Sequence, residues 1–228
     1  EYKIITTINH PNILRVYRYG IHKGQPWIAM ELLDGVALQT HVKGIGPPGN
    51  PERTKEVLRI GWFLASALGY LHGRGLIHRD IKSANAVVLP DGRVKLLDFG
   101  TAHIADAAEA ITRSEEFVGT FAYASPEQIQ SHEIDGRSDI YALGVLLYRL
   151  AAGRRPFDST DNGELVRMHL NDVPTTPSVH AEGLPEALDR LILWMLEKKP
   201  ADRPQSAEVV NNYLTTIAGE APGPGGQL

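Results

Sequence analysis

Cysteine is absent from all 228 residues. No disulfide framework and no thiolate metal site can form, and redox chemistry at cysteine is excluded, which fits an intracellular protein. Long apolar runs are missing as well. The longest stretches, at 64–71 and 141–150, are interrupted by Gly69, Tyr70, Gly144 and Arg149, and fall short of the roughly 18 residues that a membrane span needs. A soluble chain without membrane contact is expected. There is no basic block either. With 23 Lys plus Arg against 27 Asp plus Glu, and a net charge of -4, the chain lacks the cationic groove that DNA or RNA binding requires. It opens on Glu1 with neither the charged nor the apolar segment of a secretory leader. It therefore reads as a piece of a longer cytoplasmic protein, whose other segments are free to carry a membrane anchor. The 43% hydrophobic content is enough for a sizeable core, so disorder is excluded as a class.

The apolar pattern changes character along the chain. Ile4, Ile5 and Ile8 recur at helical spacing until Pro11, whose ring disfavours helical geometry in the residue before it. Residues 13–19 and 26–32 alternate or run apolar around His22-Lys23-Gly24-Gln25, which predicts two antiparallel strands. A Gly- and Pro-dense loop fills 44–51. Beyond it Val57, Ile60, Leu64, Ala67, Leu68 and Leu71 mark one face of a long helix over 52–72, stopped by Gly73 and Gly75. Short strands are predicted at 86–89 and 93–97 around Pro90-Asp91-Gly92. Every later periodic segment is helical: 138–152, 163–171, 185–197 and 206–217. Strands first and helices later give an α+β arrangement. Residues 219–228, with three Gly-Pro or Pro-Gly junctions, read as a flexible linker.

Between the long helix and the short strands lies Leu76-Ile77-His78-Arg79-Asp80-Ile81-Lys82-Ser83-Ala84-Asn85, and thirteen residues after Asn85 comes Asp98-Phe99-Gly100. Either motif alone recurs by chance. In this order, joined by a hairpin signal, they supply the acidic and amide groups that phosphoryl transfer from Mg-ATP requires. They match the H-R-D-L-x-x-x-N and D-F-G pair of protein kinases, with Ile81 for Leu. The chain resembles the bacterial branch of the eukaryotic-like serine/threonine protein kinases over nearly all of residues 1–218.

That resemblance implies a two-lobe, protein-kinase-like α+β fold. Residues 1–33 would be the helix-C end and two strands of an N-lobe plus the hinge, 34–218 a complete and mainly helical C-lobe, and 219–228 a linker. ATP and Mg2+ are the implied cofactors, with Mn2+ as an alternative metal. Asp80 would accept or orient the proton of the substrate hydroxyl, while Asn85 and Asp98 would hold the metal. Lys82 resembles the catalytic-loop lysine of the serine/threonine branch. Met30 fills the position before the hinge, where the backbone of Glu31 and Leu33 would meet adenine. Val87 and Leu97 would line the pocket floor, and both are equally compatible with plain core packing. His78 is expected to pack beneath Phe99 as a structural residue.

Gly119-Thr120-Phe121-Ala122-Tyr123-Ala124-Ser125-Pro126-Glu127 resembles the G-T-x-x-Y-x-A-P-E close of an activation segment, with Ser125 for Ala. Thr120 would bond toward Asp80 and Lys82, favouring Ser or Thr acceptors in protein substrates. Thr112 and Ser114 are candidate phosphosites, open to autophosphorylation in a dimer, and Arg79 is the cation that would pair with the phosphate. Asp139-Ile140-Tyr141-Ala142-Leu143-Gly144 resembles the start of the central buried helix, where Asp139 would brace the catalytic loop. Arg203 would pair with Glu127. At the front, Glu1 falls on the helix-C glutamate, while the strand lysine that should pair with it and the Gly-rich loop are not in the chain. This fragment is thus expected to be inactive alone, with an uncovered strand edge and an exposed apolar face at Ile4, Ile5 and Ile8. Two rival classes stay open: a pseudokinase-type scaffold, and a small-molecule kinase of the aminoglycoside-phosphotransferase type. Intact Asp80, Asn85 and Asp98 argue against the first, and the Thr120 and Pro126-Glu127 motif argues against the second.

Overall fold

A computed structural model of the chain describes residues 5–97 and 121–219. Two long helices form its centre. α2 (Pro51–His72) starts where the Asn50 side chain accepts a hydrogen bond from the Glu52 N–H at 2.8 Å, with Pro51 preset for the first turn. It buries Val57, Ile60, Leu64, Leu68 and Leu71, the face marked in the sequence. α4 (Gly136–Ala152) is capped by Asp135 and ended by Gly153 at φ 75, a left-handed conformation that favours glycine. Nearly all of its residues are buried, so it is a core helix rather than an amphipathic one.

α5 (Asn162–Asn171), α6 (Glu186–Met195) and α7 (Ala207–Ala218) surround this pair. α7 lies along α2, and Gly61 permits the approach: a Cβ there would stand 3.1 Å from both Leu147 and Leu214. The four helices expected after the strands are therefore present, with ends shifted by one to two residues. A short α3 (Pro126–Ile129) was not read from the sequence, because its four residues are too few for a periodic pattern.

Strands occupy the other side. β1 (Val16–His22) and β2 (Gln25–Met30) pair antiparallel with His22 opposite Gln25. Only Lys23 and Gly24 form the turn, at φ 50 and 79, which suits the twist of a two-residue hairpin. β1 thus runs three residues further than expected and begins later. A second sheet orders β3 (Val36–Ala37), β4 (Ala86–Val88) and β5 (Val94–Leu96) as neighbours. β3 and the helical turn after it, α1 (Leu38–His41), left no sequence signal because each is so short. Asn12 and Leu14 clasp Leu96 through main-chain bonds of 2.8 and 2.9 Å, fastening the N-terminal segment to β5.

Of the exposed apolar face expected at Ile4, Ile5 and Ile8, the Ile8 part is corrected here, and Ile4 lies outside the described residues. Ile8 is 2% exposed within the main core, since the turn from Ile5 to Ile8 directs it inward. Apolar exposure falls instead on the hairpin, at Tyr17, Ile21, Trp27 and Ile28. No helix among the described residues is long and apolar enough to cross a membrane.

Candidate active site

The loop from α2 to β4 carries His78 through Asn85, and one carboxylate on α4 holds its backbone. Asp139 Oδ2 accepts the His78 N–H at 2.8 Å and Oδ1 accepts the Arg79 N–H at 2.7 Å. The same Oδ2 lies 2.8 Å from Nε2 of His72, at the end of α2. The Asp139 side chain is wholly buried, and a buried carboxylate is tolerated when donors surround it in this way. Arg79 takes φ 67, a costly backbone state for a long side chain.

Asp80 follows directly. Its Oδ2 lies 2.7 Å from Lys82 Nζ, and Asn85 Nδ2 donates to both its main-chain O and its Oδ2 at 2.8 Å each. Lys82 and Asp80 remain about 30% exposed, at 28% and 32%, so the pair faces solvent. His78 is buried. The Asp80 N–H donates to its Nδ1 at 3.3 Å, and Nε2 lies 2.9 Å from the Leu97 carbonyl. These two partners fix the tautomer with the proton on Nε2. The Leu97 N–H donates to the Asn85 carbonyl at 2.8 Å, which holds the last described residue of this segment beside the end of the loop. Asp98, Phe99, Thr112, Ser114, Thr120 and Glu1 lie outside the described residues.

At the end of β2 the Glu31 N–H bonds the Arg15 carbonyl at 2.9 Å. The Glu31 carboxylate turns back, accepting from the Arg15 N–H at 2.7 Å and from Lys95 Nζ at 2.5 Å. Its side chain is thereby committed within the fold. A hollow of about 390 Å³ lies beside residues 31–34, walled by Leu89, Arg93 and Lys95. Of the predicted adenine contacts, Glu31 and Leu33 line it, and Met30, Val87 and Leu97 do not. Met30 is exposed and Val87 half-buried.

A second cavity, about 140 Å³, opens between Arg79, Asp80, Phe121, Tyr123 and Ile129. A buried ion pair involves the residue before Gln128. Arg203 donates from Nη1 and Nη2 to the two Glu127 oxygens at 2.7 and 2.8 Å. Burial alone would raise the Glu127 carboxyl, but the bonds from Arg203 and Ser138 outweigh it and hold the group below the ordinary Glu value.

Four polar residues around the site were not singled out in the sequence: His72, Lys95, Gln128 and Arg149. Arg149 Nη1 donates to Tyr123 Oη at 2.7 Å and to Ser83 Oγ at 3.2 Å. Gln128 Nε2 donates to the Arg79 carbonyl at 3.0 Å. Of these only Gln128 left a signal, because Ser125 and Gln128 have the spacing of a helix capping box.

Residues 1–214 match the protein kinase domain family. The chain is 37% identical to serine/threonine-protein kinase PknB of Mycobacterium tuberculosis over 221 residues, which is 94% of this chain and 35% of that protein. It is 39% identical to serine/threonine-protein kinase pkn3 of Myxococcus xanthus over 227 residues, covering 95% and 41% respectively. The chain thus spans about a third of the length of the PknB relatives it matches. The crystal structure of the Mycobacterium tuberculosis PknI kinase domain, in a mutant form with one cysteine replaced by alanine, superposes with a TM-score of 0.72 at 33% identity, covering 96% of this chain and 76% of that one.

Proposed function

Because the chain belongs to the protein kinase domain family, we propose that it forms the phosphotransfer core of a serine/threonine protein kinase acting on Ser or Thr hydroxyls of proteins. The observation that carries this reading is the Asp80–Lys82–Asn85 cluster, assembled on a loop whose backbone Asp139 clamps. When bound, Mg-ATP supplies the γ-phosphoryl group and the metal charge that neutralises its oxygens. Asn85 suits the metal: both amide protons go to Asp80, and its carbonyl oxygen, left without a donor among the described residues, is the hard ligand such a cation takes. Asp98 would be the second metal ligand, with Mn2+ as an alternative to Mg2+.

Asp80 takes up or orients the acceptor hydroxyl proton, and Asn85 fixes the carboxylate plane so that the free oxygen faces the acceptor. Lys82, held 2.7 Å from Asp80 Oδ2, places a positive charge beside that oxygen and toward the transferred group. Glu31 and Leu33 would present main-chain groups to the base, with Met30, Val87 and Leu97 around it. The division into 1–33, 34–218 and 219–228, the Thr120 role, the phosphosites Thr112 and Ser114 with Arg79 as the cation that would pair with their phosphate, autophosphorylation between copies, and a cytoplasmic location belong to the same proposal.

The test is Asp80→Asn in the full-length protein that carries this chain. Nucleotide affinity should hold while phosphate transfer to a protein acceptor falls by about a hundredfold or more. Equal turnover of variant and parent would overturn the assignment.

A further inference from the structure

We propose that Gln128 is a positioning residue for Asp80, coupling the turn at 125–128 to the catalytic loop; this rests on the kinase reading above. Arg79 is one of three non-glycine residues with positive φ among those described, and a left-handed arginine persists only where its surroundings over-determine it. Both of its peptide groups are clamped. Asp139 Oδ1 takes its N–H at 2.7 Å, and Gln128 Nε2 donates to its carbonyl at 3.0 Å. That carbonyl shares one rigid plane with the Asp80 N–H. Holding it therefore sets the plane from which the Asp80 side chain projects, while His78 Nδ1 holds the opposite end of the same plane at 3.3 Å.

Gln128 is itself aimed. Its Oε1 accepts from the Ser125 N–H at 3.0 Å and from Ser125 Oγ at 3.1 Å, and Ser125 is fully buried. The amide oxygen thus completes the cap of α3, and the amide nitrogen is left over for Arg79. The cap needs only the oxygen. The bond across 49 residues serves the loop.

This division of labour makes the idea separable from ordinary folding. Gln128→Glu keeps the acceptor that the cap requires and loses the donor that Arg79 requires; Gln128→Met loses both and introduces no charge. Turnover and KM for Mg-ATP are measured on a casein acceptor with the full-length protein, alongside the thermal midpoint. Both variants should lose about tenfold in kcat, the effect of one well-placed hydrogen bond, with KM for Mg-ATP unchanged. Gln128→Glu should keep the parent midpoint. Overturning results are a kcat within twofold of the parent in both variants, or a fall confined to Gln128→Glu, which would report its charge. A fall that tracks loss of midpoint and of nucleotide affinity in both would also overturn it. Should the parent transfer phosphate no better than its Asp80→Asn variant, the kinase reading fails first, and this proposal with it.

Discussion

Replacing Arg203 by Met tests the physical reasoning most directly, because every donor of this guanidinium has a named acceptor. Beyond the two Glu127 oxygens, Nε donates to the Glu197 carbonyl at 2.7 Å, Nη1 to that of Arg137 and Nη2 to that of Lys198, both at 2.9 Å. The side chain is 0% exposed, and Tyr141 packs under it with its ring centroid 4.8 Å from Cζ. Met fills similar volume without any donor. It strands a buried carboxylate that keeps Ser138 as its side-chain donor among the described residues, which costs about 3–5 kcal/mol, and orphans three carbonyls at about 1 kcal/mol each where water does not reach them. A loss of roughly 5 kcal/mol would be a large part of a typical domain's stability and would lower Tm by roughly 10–20 °C. Urea unfolding of parent and variant at equal m-value gives the figure. The pH dependence supplies a sign test. In the parent, Glu127 sits below its ordinary value of 4.5, so its contribution is present above 4.5 and is lost as the pH falls through the lowered folded value. In Arg203→Met the burial effect is no longer outweighed by the guanidinium and the carboxyl rises, so the deficit should shrink as pH is lowered toward 4.5. Adding Glu127→Gln to Arg203→Met should recover roughly 2 kcal/mol by removing the stranded charge. A single-variant cost under about 1 kcal/mol, or a double variant no better than the single, would refute the argument.

Asp139→Asn replaces one of two accepting oxygens by a donor, so the His78 and Arg79 amides can no longer both be satisfied; kcat should fall about 10–100-fold with nucleotide affinity retained, as a slightly misplaced catalytic group predicts. Loss of nucleotide binding to the same extent would mean that the residue merely holds the fold. Burial, with Lys198 and Arg155 nearby, pushes the His169 imidazole down from 6.5 to about 3. The folded state keeps it neutral while the unfolded chain takes up a proton. Its share of stability is therefore complete above about pH 6.5 and declines by about 1.4 kcal/mol per unit as the pH falls toward 3. Denaturant titrations at pH 5.5 and 4.5, both below the ordinary value of 6.5, should show nearly that slope in the parent and a flatter one in His169→Leu; identical slopes would discount it.

Much of this was legible in the sequence where the information is local. The apolar face of α2 and the glycines that stop it, the turn before β5, and the Asp80-to-Asn85 spacing are each written within a short stretch of chain, so pattern reading suffices. What failed depended on partners far along the chain. Lys95 stands between Val94 and Leu96 in a strand and would be assigned to solvent, yet it is 8% exposed because Glu31 and the Ile13 carbonyl, 64 and 82 residues away, receive its ammonium. Ile8 looked like an open helix face because its cover comes from elements that follow it. The Gln128 bond to Arg79 has the same long-range character. The hinge assignment of Glu31 and Leu33 rests on register, since any strand backbone offers the same groups.

The attachment of the catalytic loop to α4 has a consequence for time as well as place. Buried amides on a central helix exchange with solvent only when the whole domain opens, whereas hairpins with wet backbones open alone and often. Asp139 belongs to the first turn of the helix with the least exposed surface, and β1–β2 is the most exposed pair of strands. Deuterium uptake should therefore reach the hairpin long before the His78 and Arg79 amides. Gentle warming would loosen the strand side while Asp80 and Asn85 keep their geometry.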